Sequence, residues 1–155
     1  MSGVSKAIVQ PLLSWYDAGH RDLPWRSEPA PYRVWVSEIM LQQTRVEAVR
    51  GYFSRWMNAL PDIPALAAAD EAVYTKLWEG LGYYSRVRNL HRAAVLLCEQ
   101  YGGELPADYD RLLALPGVGE YTAGAVASIA FGLPVPAVDG NVLRVILRLT
   151  VCADS

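Results

Sequence analysis

The sequence predicts an all-α protein, on three observations. Apolar residues recur at helical spacing, as in Val87, Leu90, Ala94 and Leu97. The periodic segments are separated by Pro and Gly punctuation. Strand signals are weak, and the best candidate, "LPVPAV", is too rich in proline to hold a central ladder.

Each element follows from this pattern. A first helix is expected from about Lys6 to Gly19, before a polar loop with "DLPWR" and "SEPAP". Pro31 stands where a helix begins. A long helix follows, from Tyr32 to Arg50, with a continuation through "YFSRWMNAL". "PDIPALAAADEAVYTKLWEG" gives a short helix start and a second helix ending at Gly80, with Asp70 as its N-cap. "SRVRNLHRAAVLLCEQYGG" is amphipathic and stops at Gly102-Gly103. "DYDRLLALPGVGEYTAGAVASIAFG" reads as two short helices around a tight turn, and "VPAVDGNVLRVILRL" enters one more.

Composition bounds the function. The chain has 155 residues, 52% apolar and 19% charged, enough for a real core. Its net charge of -2 gives no global attraction to a polyanion, so a nucleic-acid surface would have to be local. Nearly all the positive charge is arginine, the lysines being Lys6 and Lys76. Two cysteines, Cys98 and Cys152, make neither a disulfide framework nor a four-thiolate cluster, and a reducing compartment is the default. The N-terminus lacks the apolar core of a secretory signal. No apolar run is long enough to span a membrane. The final "VILRLTVCADS" shows no closing cap, so a fragment of a longer protein is expected.

Three stretches carry chemistry. In "SEIMLQQT", Glu38 is an acid among apolar neighbours, followed by Gln42, Gln43 and Thr44. Its ordinary role would be an edge-of-core glutamate paired with Arg45 or a backbone group. In "LPGVG", Gly117 and Gly119 open backbone conformations closed to other residues and let N–H groups approach a ligand. The next helix, from about Tyr121, points its positive end at the same place, which makes an anion site. In "VDGNV", Asp139 is an N-cap for the amide of Asn141 or Val142.

Taken in order, "LPWR", "PYRVWVSEIMLQQTRVEAV", "LWEGLGYYSRVRNLHRAA", "LPGVGEYTAGAVASIAFG" and "VDGNVLRV" resemble the adenine DNA glycosylases of the MutY type, in the helix-hairpin-helix glycosylase superfamily. The resemblance covers nearly the whole chain. It implies a six-helix barrel module with part of a second helical subdomain. The expected boundaries are an N-terminal helix and loop over 1–25, the barrel module with its hairpin at 115–119 over 26–140, and the start of a further helix over 141–155.

It also implies roles. Glu38 is expected to be the general acid that protonates the leaving adenine, and Asp139 the ionised carboxylate that stabilises the sugar cation. Tyr121 would line the base pocket near Glu38, and Asn141 would orient Asp139. Trp25 and Arg26 would touch the flipped base. Gln43 and Thr44 would meet the opposite purine, with Leu81 at the lesion side and Tyr83 as an intercalating wedge. Gly117, Val118 and Gly119 would grip the DNA backbone. Arg86 and Arg88, with His91 and Arg92, would form a phosphate track free of acids. The related endonuclease III-type enzymes use a lysine nucleophile where this chain carries Tyr121, so a lysine-based lyase is not expected.

The expected partner is double-stranded DNA with adenine opposite 8-oxoguanine or guanine, met by a monomer inside the cell, cytoplasmic and nucleoid-associated if bacterial. Full-length family members carry a [4Fe-4S] cluster. This chain lacks its four-cysteine pattern, so no metal ligand or bound cofactor is expected here. The alternatives are an endonuclease III-like glycosylase of other base specificity, and an inactive DNA-binding module.

Overall fold

The computed structural model describes residues 3–151, with side chains from Lys6 to Thr150. Among the described residues there are ten helices and no strand. They are α1 (Gly3–Gly19), α2 (Pro24–Ser27), α3 (Pro31–Leu41), α4 (Val46–Ala59), α5 (Ile63–Ala68), α6 (Glu71–Trp78), α7 (Ser85–Tyr101), α8 (Tyr109–Leu113), α9 (Glu120–Phe131) and α10 (Gly140–Val151). They fall into two units. One is Leu23–Ala137, and the other joins the described residues up to Asp22 with those from Val138 onward.

Four tryptophans centre the larger unit: Trp25, Trp35, Trp56 and Trp78 are each at most 2% exposed. Trp56 packs edge-on against Trp78 at 5.7 Å between ring centroids. Buried tryptophan and tyrosine need partners for their polar atoms. Trp56 Nε1 donates to the Tyr32 hydroxyl at 3.0 Å, and that hydroxyl donates to the Leu60 carbonyl at 2.9 Å. Burial pushes the Tyr32 phenol pKa well up. Around this core α5 packs on α7, α3 on α9 and on α4, and α8 on α9.

Most helix ends are where the sequence predicts them. Pro31 opens α3, and α7 ends at Gly102 in the left-handed conformation. Three points differ. The polar loop expected around "DLPWR" carries the short helix α2, opened by Pro24. The single helix expected over Tyr32–Arg50 is two helices, broken by a turn at residues 42–45. Asp70 caps α6 through its backbone only; the side-chain cap belongs to Asp62, which accepts from Ala65 N at 2.8 Å.

α9 is built of small residues, and Thr122 through Ala127 are all buried. A Cβ on Gly124 would lie 2.2 Å from the Pro136 carbonyl oxygen, so only glycine lets the 133–137 segment cross α9 this closely. In the smaller unit, α1 exposes Leu12, Leu13 and Trp15, and α10 exposes Leu143, Val145 and Leu147.

Candidate active site and nucleic-acid interface

Glu38 sits on the buried stripe of α3, between Val34 and Trp35 on one side and Ile39 on the other, and is 5% exposed. Burial raises its pKa above the usual carboxylate value. Two groups act in the opposite sense and favour the anion: the Arg26 cation, from α2, and a hydrogen bond with the Tyr121 side chain, from the first turn of α9. Desolvation is the larger effect and shifts the carboxyl toward its neutral form, with a cation and a phenol beside it. Tyr121 lies beside Glu38 as expected, Arg26 is the cation next to the carboxyl rather than Arg45, and that pairing was not anticipated from the sequence.

The polar run after Glu38 lies in the turn between α3 and α4, not on a helix face. Gln42 Nε2 donates to the buried Thr122 hydroxyl at 3.3 Å, which ties the turn to the start of α9. Gln43 is exposed with φ +58°, a left-handed conformation costly for a residue with a side chain. The Thr44 hydroxyl donates back to the Gln42 carbonyl at 3.4 Å. Tyr83 is the second non-glycine residue with positive φ among the described residues, at +47°, and it is 64% exposed.

The hairpin divides its two glycines. Gly117 has φ +75°, and a Cβ there would meet the Asn89 Cβ at 2.7 Å, so the fold itself requires glycine. Gly119 has φ -94° with open space around it, a conformation any residue adopts. Of the two glycines expected to need a special backbone conformation, Gly117 does and Gly119 does not. Gly119 is the N-cap of α9 and makes no side-chain cap bond to the first turn of that helix. Val118 is 8% exposed and plugs the turn into the core.

In the smaller unit Asp139 is the expected N-cap. Val142 N donates to one carboxylate oxygen at 2.8 Å, and Asn141 Nδ2 donates to the other at 3.1 Å. The Val142 bond is the main reason its pKa lies below the ordinary aspartate value, with Asn141 adding to it. Asn141 and Asp139 are thus in direct contact.

Several assigned residues lie elsewhere than predicted. Trp25 is a core residue, 2% exposed and edge-on to Phe53 at 5.3 Å, which leaves its ring no face for a base. Leu81 is 7% exposed and packs inward. Arg86 turns into the protein and bonds backbone carbonyls. Arg88 is paired at 3.1 Å with Glu71 of α6, so the expected phosphate track is not free of acids. His91 stacks on Tyr74 at 4.6 Å. The sequence missed the inward course of Arg86 and the Gln42–Thr122 bond. Both join residues distant in the chain, and no local pattern announces them.

The donors present do not fit a four-cysteine cluster. Cys98 is half-buried on α7 beside Gly103, the chain has one other cysteine, and among the described residues no group of three or more His, Cys, Asp or Glu is arranged for a metal ion.

A tight glycine turn leading into an uncapped, small-residue helix, with a desolvated acid bonded to that helix's first turn, defines a helix-hairpin-helix fold of the glycosylase kind. Solved structures agree. A thermostable thymine-DNA glycosylase superposes with a TM-score of 0.87 at 30% identity, over 92% of this chain and 66% of that one. A non-covalent endonuclease III–DNA complex gives 0.80 at 26%, over 94% and 68%. The chain belongs to the HhH-GPD superfamily of base excision DNA repair proteins, whose family model matches residues 36–155. Among curated relatives, it is 51% identical to the adenine DNA glycosylase of Mus musculus over 147 residues, covering 89% of this chain and 28% of that protein. It is 50% identical to that of Homo sapiens, covering 89% and 27%. For Mycolicibacterium smegmatis the figures are 47% identity, 88% and 47%. The chain thus spans about a quarter to a half of the length of these relatives.

Proposed function

We propose that this chain is the acid-bearing part of an adenine DNA glycosylase that removes adenine mispaired with 8-oxoguanine or guanine from duplex DNA. The observation that carries the reading is the buried Glu38 with Arg26 and Tyr121 as its partners. An adenine inside a duplex is out of reach, so it must be flipped into a pocket. Neutral Glu38 then donates its proton to N7. The bond from the sugar C1′ to N9 breaks, and its electron pair leaves with the protonated base. Arg26 and the Tyr121 hydroxyl hold the glutamate anion that remains. Asp139, kept ionised by Val142 N and Asn141, stabilises the sugar cation until water attacks C1′.

Tyr121 in place of a lysine leaves no amine there to form a Schiff base, so the reaction stops at base loss. The exposed, left-handed Tyr83 is the wedge in the duplex, and Gln43 and Thr44 meet the base opposite the lesion. The amides of Gly117 and Gly119 and the start of α9 take a backbone phosphate without reading sequence, the Val118 amide being already bonded to the Leu115 carbonyl at 3.1 Å. The protein works as a monomer on DNA inside the cell. Among the described residues no helix is long and apolar enough to cross a membrane.

The test is strand cleavage of duplexes with adenine opposite 8-oxoguanine, with and without alkali. Alkali-dependent cleavage at adenine is expected. Cleavage without alkali refutes the monofunctional reading and favours an endonuclease III-like enzyme. Duplex binding with no base release leaves an inactive binding module.

A further inference from the structure

Arg86 stands near the start of α7 and is half-buried. Its Nη1 donates to the carbonyls of Ile39 at 2.9 Å, Met40 at 3.1 Å and Gln42 at 2.5 Å. Its Nη2 donates to Leu81 at 3.0 Å and Gly82 at 3.2 Å. The guanidinium also lies 5.1 Å from the Trp78 ring centroid and 5.8 Å from that of Tyr83. The first three carbonyls are at the C-terminal end of α3, where a cation also complements the helix dipole. The other two belong to the loop that carries Tyr83. A planar fork is needed to span both sets, and an ammonium on a flexible stem cannot do so.

The two loops it joins share a feature. Each presents one exposed non-glycine residue in the left-handed region, Gln43 on one and Tyr83 on the other. Strained backbone of this kind persists only where its surroundings over-determine it. Each loop has other side-chain ties: Gln42 to Thr122 and the Thr44 hydroxyl to the Gln42 carbonyl on one, and on the other Trp78 Nε1 to the Gly82 carbonyl at 3.1 Å and the Tyr52 hydroxyl to the Glu79 carbonyl at 2.9 Å. Arg86 alone among these residues holds both.

We infer that Arg86 is a positioning residue that fixes the Gln43 and Tyr83 loops relative to each other, so that the two side chains engage one mispair together. This rests on the proposed DNA-facing roles of Gln43 and Tyr83. Arg86 itself touches no phosphate.

The test uses Arg86→Lys in the full chain, with two readouts. In the free protein, amide hydrogen exchange at residues 42–44 and 80–83 is expected to rise at least tenfold in both loops, with α5 and α9 unchanged. A response in one loop only, or in neither, overturns the clamp whatever the protein's substrate. On DNA, preference for the mispaired over the matched duplex is expected to fall about tenfold, while matched-duplex affinity and its salt slope stay as in the wild type. A lower matched affinity with a salt slope smaller by about one ion marks a phosphate contact and overturns the inference. A wild type without mispair preference refutes the proposed function and the recognition role, and the exchange result still decides the clamp. Should Arg86→Lys fail to fold, the wild-type guanidinium NMR signals decide. Slow water exchange and no shift on adding matched duplex support the clamp, and a shift overturns it.

Discussion

Replacing Glu38 with glutamine is the sharpest perturbation of the proposed chemistry. The amide keeps the shape and an oxygen acceptor for the Tyr121 hydroxyl, and removes only the transferable proton. Positioned general acids contribute about 10²–10⁴ in rate, roughly 2.7–5.4 kcal/mol of barrier. Base release by Glu38→Gln should fall by that factor, with duplex affinity within about threefold. The pH dependence has a definite sign. Burial raises the folded pKa of Glu38 above its ordinary value of 4.5. The acid is therefore available below the raised value, and wild-type base release declines as pH rises through it. The neutral side chain also contributes stability that is complete below the unfolded pKa and lost as pH rises through the folded one. The variant escapes that loss, so at pH 8 it should melt no lower than the wild type. Single-turnover adenine release, gel-shift affinity and thermal unfolding measure the three quantities. Release within tenfold of the wild type would refute the acid assignment.

The hairpin glycines should separate stability from binding. Gly117→Ala forces a side chain into the left-handed region and against Asn89, and should cost about 1–3 kcal/mol in urea unfolding. Gly119→Ala should stay within about 0.5 kcal/mol of the wild type yet weaken duplex binding, because its Cβ meets only the approaching backbone. Tyr83→Ala should leave the melting temperature nearly unchanged and cost about 1–3 kcal/mol of affinity for the mispaired duplex, measured by fluorescence anisotropy. Asp139→Asn should keep the α10 cap, asparagine being as good an N-cap, so helicity by circular dichroism is retained while base release is lost. The stability that ionised Asp139 lends the wild type is present above its unfolded pKa and lost as pH falls through the lowered folded one.

Much of this was legible because it is local. Pro31, the glycines after α7 and the hairpin glycine Gly117 act through backbone rules that hold wherever those residues stand. The Asp139 cap is equally local, made with residues two and three positions on. The contact of Tyr121 with Glu38 could be expected only through resemblance, since Tyr121 comes from far along the chain, and the Arg26 cation beside the carboxyl was not expected at all. The turn at 42–45 was hidden. "QQTR" has neither Gly nor Pro, and its apolar flanks continue a helical period. What stabilises the break is Arg86, whose bond to the Gln42 carbonyl crosses 44 residues. The same geometry hid Arg86 within an apparent basic patch. Arg86 and Arg88 are two positions apart on a helix and so point to different faces, one to the carbonyls and one to Glu71. Trp25 and Leu81 were assigned to DNA by position in a motif, whereas their apolar surface is satisfied in the core.

The central claim is that this chain carries the proton donor of a monofunctional adenine glycosylase. Incubation with a duplex bearing one adenine opposite 8-oxoguanine, followed by chromatography of the released base, tests it most directly. Free adenine is expected, with an intact strand that breaks at that site only after alkali. No adenine released at any pH between 5 and 8, or a strand already broken before alkali, contradicts it.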